Sequence, residues 1–295
     1  EYQRMKKFLS LILVFTFSTS LFSQVDTTCE CRTKVPMTSA AIGLTSYYFL
    51  NQLWYSQYPQ SGFHFFDDHK EWLQMDKAGH AFTTYQVANQ LYDSYLRTGY
   101  NKQESARNAA ITGWSYMMGI ELLDGFSSQW GFSSTDILAN TAGSFLYWIQ
   151  QEKWGEQKIN LKFSYYPTRF SMLNTSQLGE NFQQRILKDY NGQTYWLSFN
   201  STLLFSKNNT FRDAINFNIG YSGTEMIRAK TNNNLVNNFH PTREFLFSFD
   251  ADLNRVKWRR KGMKKVARIL SVIKIPLPAL EIRGDGKIKF HSFYF

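Results

Sequence analysis

Apolar and polar positions follow two different rhythms along the chain. Up to about residue 155 the apolar residues recur at three- and four-residue spacing; beyond Gly155 several segments alternate every second residue. The first rhythm predicts four helices: Pro36 to Gln57, opened by a proline in its first turn, then Glu71 to Arg97, Glu104 to Leu123, and Ser134 to Lys153. Each apolar run is about 13 to 20 residues and broken by polar side chains, which is marginal for a membrane span and suits a compact four-helix unit. The second rhythm predicts six strands: Lys158 to Tyr166, Thr194 to Phe205, Ala214 to Tyr221, Arg243 to Leu253, Leu280 to Arg283 and Lys287 to Phe295. Turns such as Asn191-Gly192, Ser222-Gly223 and Asp285-Gly286 separate them. The expected fold class is α+β, a four-helix unit followed by an antiparallel β-rich C-terminal half. The last strand, ending in Phe295, is similar to the closing strand of outer-membrane barrels. Six strands fall short of the eight such barrels need, so a sheet packed on the helices is expected and a barrel is left open.

Ahead of these elements stands an address. Lys6-Lys7 form a positive start, Phe8 to Phe17 an apolar core, and the small polar run to Ser23 a cleavage zone. Met5 reads as the true start, and a mature chain beginning near Gln24 is expected in the periplasm or outer membrane. The expected organisation is then a signal segment at 1–23, a tail at 24–35, a helical domain at 36–155 and a β-rich domain at 156–295. The only cysteines, Cys29 and Cys31, lie in the tail. In an oxidising compartment they could close a small strained disulfide or bridge to a partner; an exposed, redox-labile pair is the favoured reading.

Composition adds two points. Aromatics are plentiful, with 26 Phe, 17 Tyr and 8 Trp, so core material is not scarce. A mean hydropathy of −0.39 argues against a polytopic helical membrane protein. The formal charge of +10 is localised. Eight basic residues and no acids lie between 255 and 268, namely Arg255, Lys257, Arg259, Arg260, Lys261, Lys264, Lys265 and Arg268. Without residues 1–23 the net is +8, so the rest of the mature chain is formally neutral. Val256, Met263, Val266 and Leu270 give this segment an apolar counterpart. The pattern predicts contact with a membrane surface or an anionic envelope lipid. Nucleic acid is not expected as a partner outside the cytoplasm.

Candidate chemistry sits between Asp76 and Gly143. Asp76 and His80, like Asp136 and Asn140, are four apart; Glu121 and Asp124 are three apart. Such pairs share a helix face, and three of them in apolar surroundings predict one convergent cluster of Asp76, Lys77, His80, Glu121, Asp124, Asp136 and Asn140. Plainer roles compete: Asp76 as an N-cap, Ser133 with Asp136 as a capping box, and Gly125 as the stop after its helix. That stop would leave Glu121 and Asp124 in a last helical turn, where the dipole disfavours them. Lys77 and His80 are the expected compensation, lowering the carboxylate pKa values. His64, His69 and His80 lie near carboxylates of a type that suits Zn or Mn, but their spacing is not that of zinc-protease motifs. No metal is assigned and the cofactor is left open.

Asp68, Glu71-Trp72, Asp76-Lys77-x-Gly79-His80, Glu121-x-x-Asp124-Gly125-Phe126, Trp130-Gly131-Phe132-Ser133, Asp136 and Asn140-x-x-Gly143 together resemble the YfiM-like proteins. These are predicted periplasmic lipoproteins of bacteria whose domain has no established function. The resemblance spans about residues 60 to 150 and implies an envelope compartment rather than a mechanism. A more distant likeness is to VanZ-like membrane proteins, through the Asp-Lys-x-x-His start and the Asp-x-x-x-Asn-x-x-Gly close. In a lipoprotein the acylated cysteine follows directly on the apolar run, whereas Cys29 and Cys31 come after Gln24-Val25-Asp26, which argues against acylation here. Three functions follow as expectations. The favoured one is a structural or accessory envelope protein at a membrane surface. The others are an envelope enzyme using Glu121 or Asp124 as base with His80 or Lys77, and a small-ligand binder.

Overall fold

The computed structural model describes residues 32–295 apart from 57, 204, 206–212, 236–237, 257 and 260. The expected signal segment, Cys29 and Cys31 lie outside the described residues. Two compact units are present, Glu1–Asp68 with Thr83–Gly155, and His69–Phe82 with Glu156–Phe295. The architecture is α+β.

Four long helices appear where the periodicity places them: α1 (Lys34–Leu50), α2 (Met75–Arg97), α3 (Lys102–Gly125) and α4 (Ser134–Trp154). α1 runs on into a wider turn at Asn51–Tyr55. Asn101 caps α3 reciprocally, accepting from the Glu104 amide at 2.8 Å while the Glu104 carboxylate accepts from its own amide at 3.0 Å. Small residues on α3 (Ala106, Ala109, Ala110, Gly113) are buried, which lets neighbours come close. A Cβ on Gly113 would sit 2.8 Å from the Thr84 carbonyl of α2. On α4, Ser144 donates to the Ala110 carbonyl at 2.9 Å. Tyr47 of α1 stacks on Tyr116 of α3 with ring centroids 5.2 Å apart. No described helix is long and apolar enough to cross a membrane.

Two local expectations change. Gly125 is the last residue of α3 with ordinary helical φ, not a left-handed stop. Its missing side chain makes room for Phe63, whose Cε2 would lie 2.5 Å from a Cβ there. The second helix begins at Met75, not Glu71, so Asp76 stands inside its first turn rather than capping it. Trp72, Leu73 and Gln74 form a left-handed turn, with φ of 48°, 51° and 64°. Such backbone is rare outside glycine, and contacts hold it in place. The Trp72 amide donates to the Ala229 carbonyl at 2.8 Å, the Tyr221 hydroxyl donates to the Leu73 carbonyl, and Leu73 is buried with Met75 and Met226.

The second unit is built on a six-stranded antiparallel meander: β1 (Ile159–Tyr165), β2 (Gln193–Asn200), β3 (Ile215–Thr224), β4 (Thr242–Ala251), β5 (Leu277–Arg283) and β6 (Ile288–Tyr294), in sheet order β1-β2-β3-β4-β5-β6. The strands lie where the alternation predicts them. The sheet is not flat. Strands are about 4.8 Å apart, so β1 and β4 would be about 14 Å apart in a flat sheet and β2 and β6 about 19 Å. Yet Lys162 of β1 meets Asp250 of β4 at 2.6 Å, and Thr194 of β2 meets the Tyr294 hydroxyl of β6 at 3.1 Å. The sheet therefore curls until its inward side chains touch across the interior. Val272–Lys274 line the outer edge of β1: the Phe163 amide donates to the Val272 carbonyl and the Lys274 amide to the Phe163 carbonyl, both at 3.0 Å.

The curl buries the polar rows. Asn160, Lys162 and Ser164 of β1, Ser198 and Asn200 of β2, Asn216 and Asn218 of β3, Ser248 and Asp250 of β4, and Glu281 of β5 are all buried. Trp196 sits among them, fully buried, donating to the Ser164 hydroxyl at 2.9 Å and lying under the Lys274 ammonium at 4.7 Å. Burial pushes the Lys274 amine down to about 8. Outward rows are apolar. This inverts the pattern of a sheet that packs its apolar face on a core.

Candidate functional site

Three acidic residues of the helical unit, Asp68, Glu121 and Asp136, gather at the start of α4. Ser133 is its N-cap; the hydroxyl accepts from the Asp136 amide at 3.2 Å and donates to Asp68 at 2.7 Å. Thr135 donates to the same Asp68 oxygen at 2.9 Å. The Ser133 amide donates to Glu121 of α3 at 3.2 Å. An oxygen of Asp136 lies within 4.8 Å of one on Glu121 and of one on Asp68. One turn further along α4, Asn140 accepts from the Thr84 hydroxyl of α2 at 3.1 Å. Asp124 accepts from Tyr55 at 2.7 Å. Glu121, Asp136 and Asn140 are all buried. The site thus stands at the positive end of α4's dipole, which favours anions.

Dipole and hydrogen bonds do not balance the crowding. Glu121 is pushed up to about 9, by burial first and then by the charges of Asp136 and Asp124, with the Ser133 amide opposing and Asp68 adding. The expected downward shift is therefore reversed. At neutral pH Glu121 keeps its proton and can donate it, so its neighbours are not facing a further full negative charge. Burial also raises the Tyr55 phenol, and Asp124 raises it further. Asp68, Glu121 and Asp136 are hard oxygen donors of the kind a divalent cation takes.

Of the residues expected to converge, Glu121, Asp136 and Asn140 share this unit with Asp124. Asp76, Lys77 and His80 fall in the first turns of α2, where Lys77 pairs with Asp76 at 2.9 Å. Asp76, His80 and Thr84 recur every four residues and so share one face of that helix. Two participants escaped the sequence reading, Tyr55 and Thr84. Neither carries a signal beyond being a hydroxyl in an apolar helix. His64 is bound locally, its Nδ1 within 3.3 Å of the Ser61 hydroxyl and 3.1 Å of the Gly62 carbonyl.

Residues 62–151 match the family model described as predicted periplasmic lipoprotein (DUF2279). The segment similar to that family contains the whole carboxylate cluster except Tyr55, and the match supports an exported, envelope location. No curated protein and no solved structure is similar enough to the chain to match it.

The basic segment forms a helix, α5 (Lys261–Leu270), preceded by Arg255 and Arg259. Met263, Val266, Ile269 and Leu270 are exposed on it and Ala267 is buried. Arg259 is exposed and Arg268 half-buried. Arg255 is engaged inside the unit, 3.3 Å from Glu156 and 3.4 Å from Asp252, so it is not a surface charge. Lys257 and Arg260, and the side chains of Lys261, Lys264 and Lys265, lie outside the described residues.

Proposed function

We propose that the chain is an exported envelope protein with a structural or accessory role at a membrane surface, docked there through α5. The observation that carries this reading is the helix itself: four exposed apolar side chains on an element whose sequence is dense in lysine and arginine. Each basic residue near an anionic surface contributes about 1 kcal/mol, less with added salt. Sedimentation with vesicles tests it. Binding should favour anionic over neutral vesicles and fall when Arg259, Arg260, Lys264 and Lys265 become glutamine; equal binding to both vesicle types would overturn the reading.

The carboxylate cluster is read as structural, a buried group of acids kept neutral enough to fold by a retained proton. Asp76, Lys77 and His80 are assigned to it as a proposal resting on sequence spacing alone. A second reading, an envelope enzyme, is favoured by one observation: Glu121 holds a proton near neutral pH beside other carboxylates, the arrangement that makes a general acid. Complementation of a deletion strain separates the two. A Glu121→Gln protein that folds and complements supports structure; one that folds and fails supports chemistry.

A further inference from the structure

The apolar outside of the curled sheet is continuous. Following the strand register, Leu161, Leu197, Ile219, Phe247, Leu280 and Phe290 stand side by side, one from each of the six strands. All but Leu161 are exposed, and Phe290 is 66% exposed. Rows on either side add Phe217 beside Phe249 and Ile282 beside Ile288. Single exposed apolar residues are ordinary, but a band crossing every strand of a sheet marks a contact surface.

We propose that this band faces the hydrocarbon of a lipid bilayer, so that the β unit is inserted in the membrane rather than resting on it. Four observations bear on the choice of lipid over a protein partner. Outward apolar positions run through all six strands, as hydrocarbon demands, and the inward rows are polar apart from a cluster of Trp196, Leu246 and Ala279; buried polar groups there must satisfy one another. Lys162 with Asp250, Glu281 with His291 at 2.6 Å, and Trp196 with Ser164 do so. Phe82 of the same unit covers the outward Phe163 and Tyr195 of β1 and β2, and beside that cover the exposed band follows the curl on to β6, farther round than a partner on one side would reach. Two strands have the length of a bilayer span: β3 and β4 have ten residues each, where tilted strands of about 9–11 residues cross the core, while the other four have seven or eight. Finally, the band adjoins a surface of the right charge in sequence, since α5 leads through Val272–Lys274 directly into β5. An amphipathic basic helix next to an apolar wall suits the boundary between acyl chains and anionic headgroups.

The inference shares with the proposed function an envelope location, but not the docking role of α5. The full chain, expressed in a bacterial host, should stay with the membrane pellet through washes in high salt and then alkaline carbonate. It should do so even with Arg259, Arg260, Lys264 and Lys265 changed to glutamine, which separates failure of the α5 reading from failure of this one. Release by salt alone would overturn insertion and leave surface docking standing. A second measurement covers loss of folding in any variant. Spin labels placed one at a time by Leu197→Cys, Phe247→Cys and Leu280→Cys, with Cys29 and Cys31 changed to serine, are read in vesicles of mixed anionic and neutral phospholipid. Insertion predicts high access to oxygen and low access to a water-soluble nickel complex at all three positions. High nickel access, meaning water, or low access to both, meaning a protein cover, would each overturn the proposal.

Discussion

Replacing Glu121 by glutamine should change how stability depends on pH more than it changes stability itself. The folded carboxyl holds its proton up to about pH 9, against 4.5 for the ordinary group. Between those values the native state binds one proton that the unfolded chain has lost, so stability falls as pH rises. The slope is at most about 1.4 kcal/mol per pH unit. From pH 6 to pH 8 the native protein should therefore lose at most about 2.7 kcal/mol through this group, or roughly 5–10 °C in Tm for a protein of this size class. Glutamine cannot ionise, keeps an oxygen for the Ser133 amide and offers an N–H to Asp136. Glu121→Gln should match the native protein near pH 4.5, the ordinary value of the group, and exceed it by a margin that widens as pH rises to 8. Thermal melts at half-unit pH intervals provide the curves. Parallel curves for the two proteins would show that Glu121 is ionised in both states, and a collapse of the variant at pH 6 would show that its carboxyl makes contacts an amide cannot replace.

Other expectations follow from single contacts. Asp250→Asn should destabilise by about 3–5 kcal/mol by stranding the buried Lys162 ammonium, while Lys162→Met with Asp250→Leu should recover much of that; denaturant midpoints decide. Gly113→Ala should cost about 1–3 kcal/mol because the methyl meets the Thr84 carbonyl, whereas Gly62→Ala, which meets nothing within 4 Å, should be nearly silent in the same melts. Ser133→Ala should lose about 0.5–2 kcal/mol of capping and also leave Asp68 with fewer donors. Mass spectrometry of envelope fractions should find a terminus near Gln24; an intact Met5 terminus in the cytoplasm would end the export reading.

Much of the fold was legible because it is written in local periodicity. The four helices and six strands lie within a few residues of such signals, for example Ser133 with Asp136 before α4 or Asp285-Gly286 before β6. What alternation cannot reveal is which of its two faces turns inward. That depends on curvature, and curvature is fixed by pairs such as Lys162 and Asp250, 88 positions apart. The same limit explains the site. Spacing put Glu121, Asp124 and Asp136 on helix faces, but the sign of Glu121's shift depends on how many carboxylates crowd it. Gly125 reads from sequence as a helix stop, and only the fold brings Phe63, from a distant loop, against it. Arg255 looked like one more surface charge until Glu156 and Asp252 were found beside it.

The curl of the sheet sets an order of events. Each strand pairs with the next, so β1 to β6 can zip together as they emerge, at little cost in loop entropy. Completion of β1 and β2 must wait, because the free edge of β1 is taken by Val272–Lys274 and the Thr194 hydroxyl of β2 finds Tyr294 across 100 positions. Contacts of such separation slow folding. Until the last strand arrives, the open meander offers water a polar concave side, its lysines, asparagines and serines still hydrated. The incomplete sheet is thus hydrated on the face that later turns inward, and the first five strands can pair before β6 arrives.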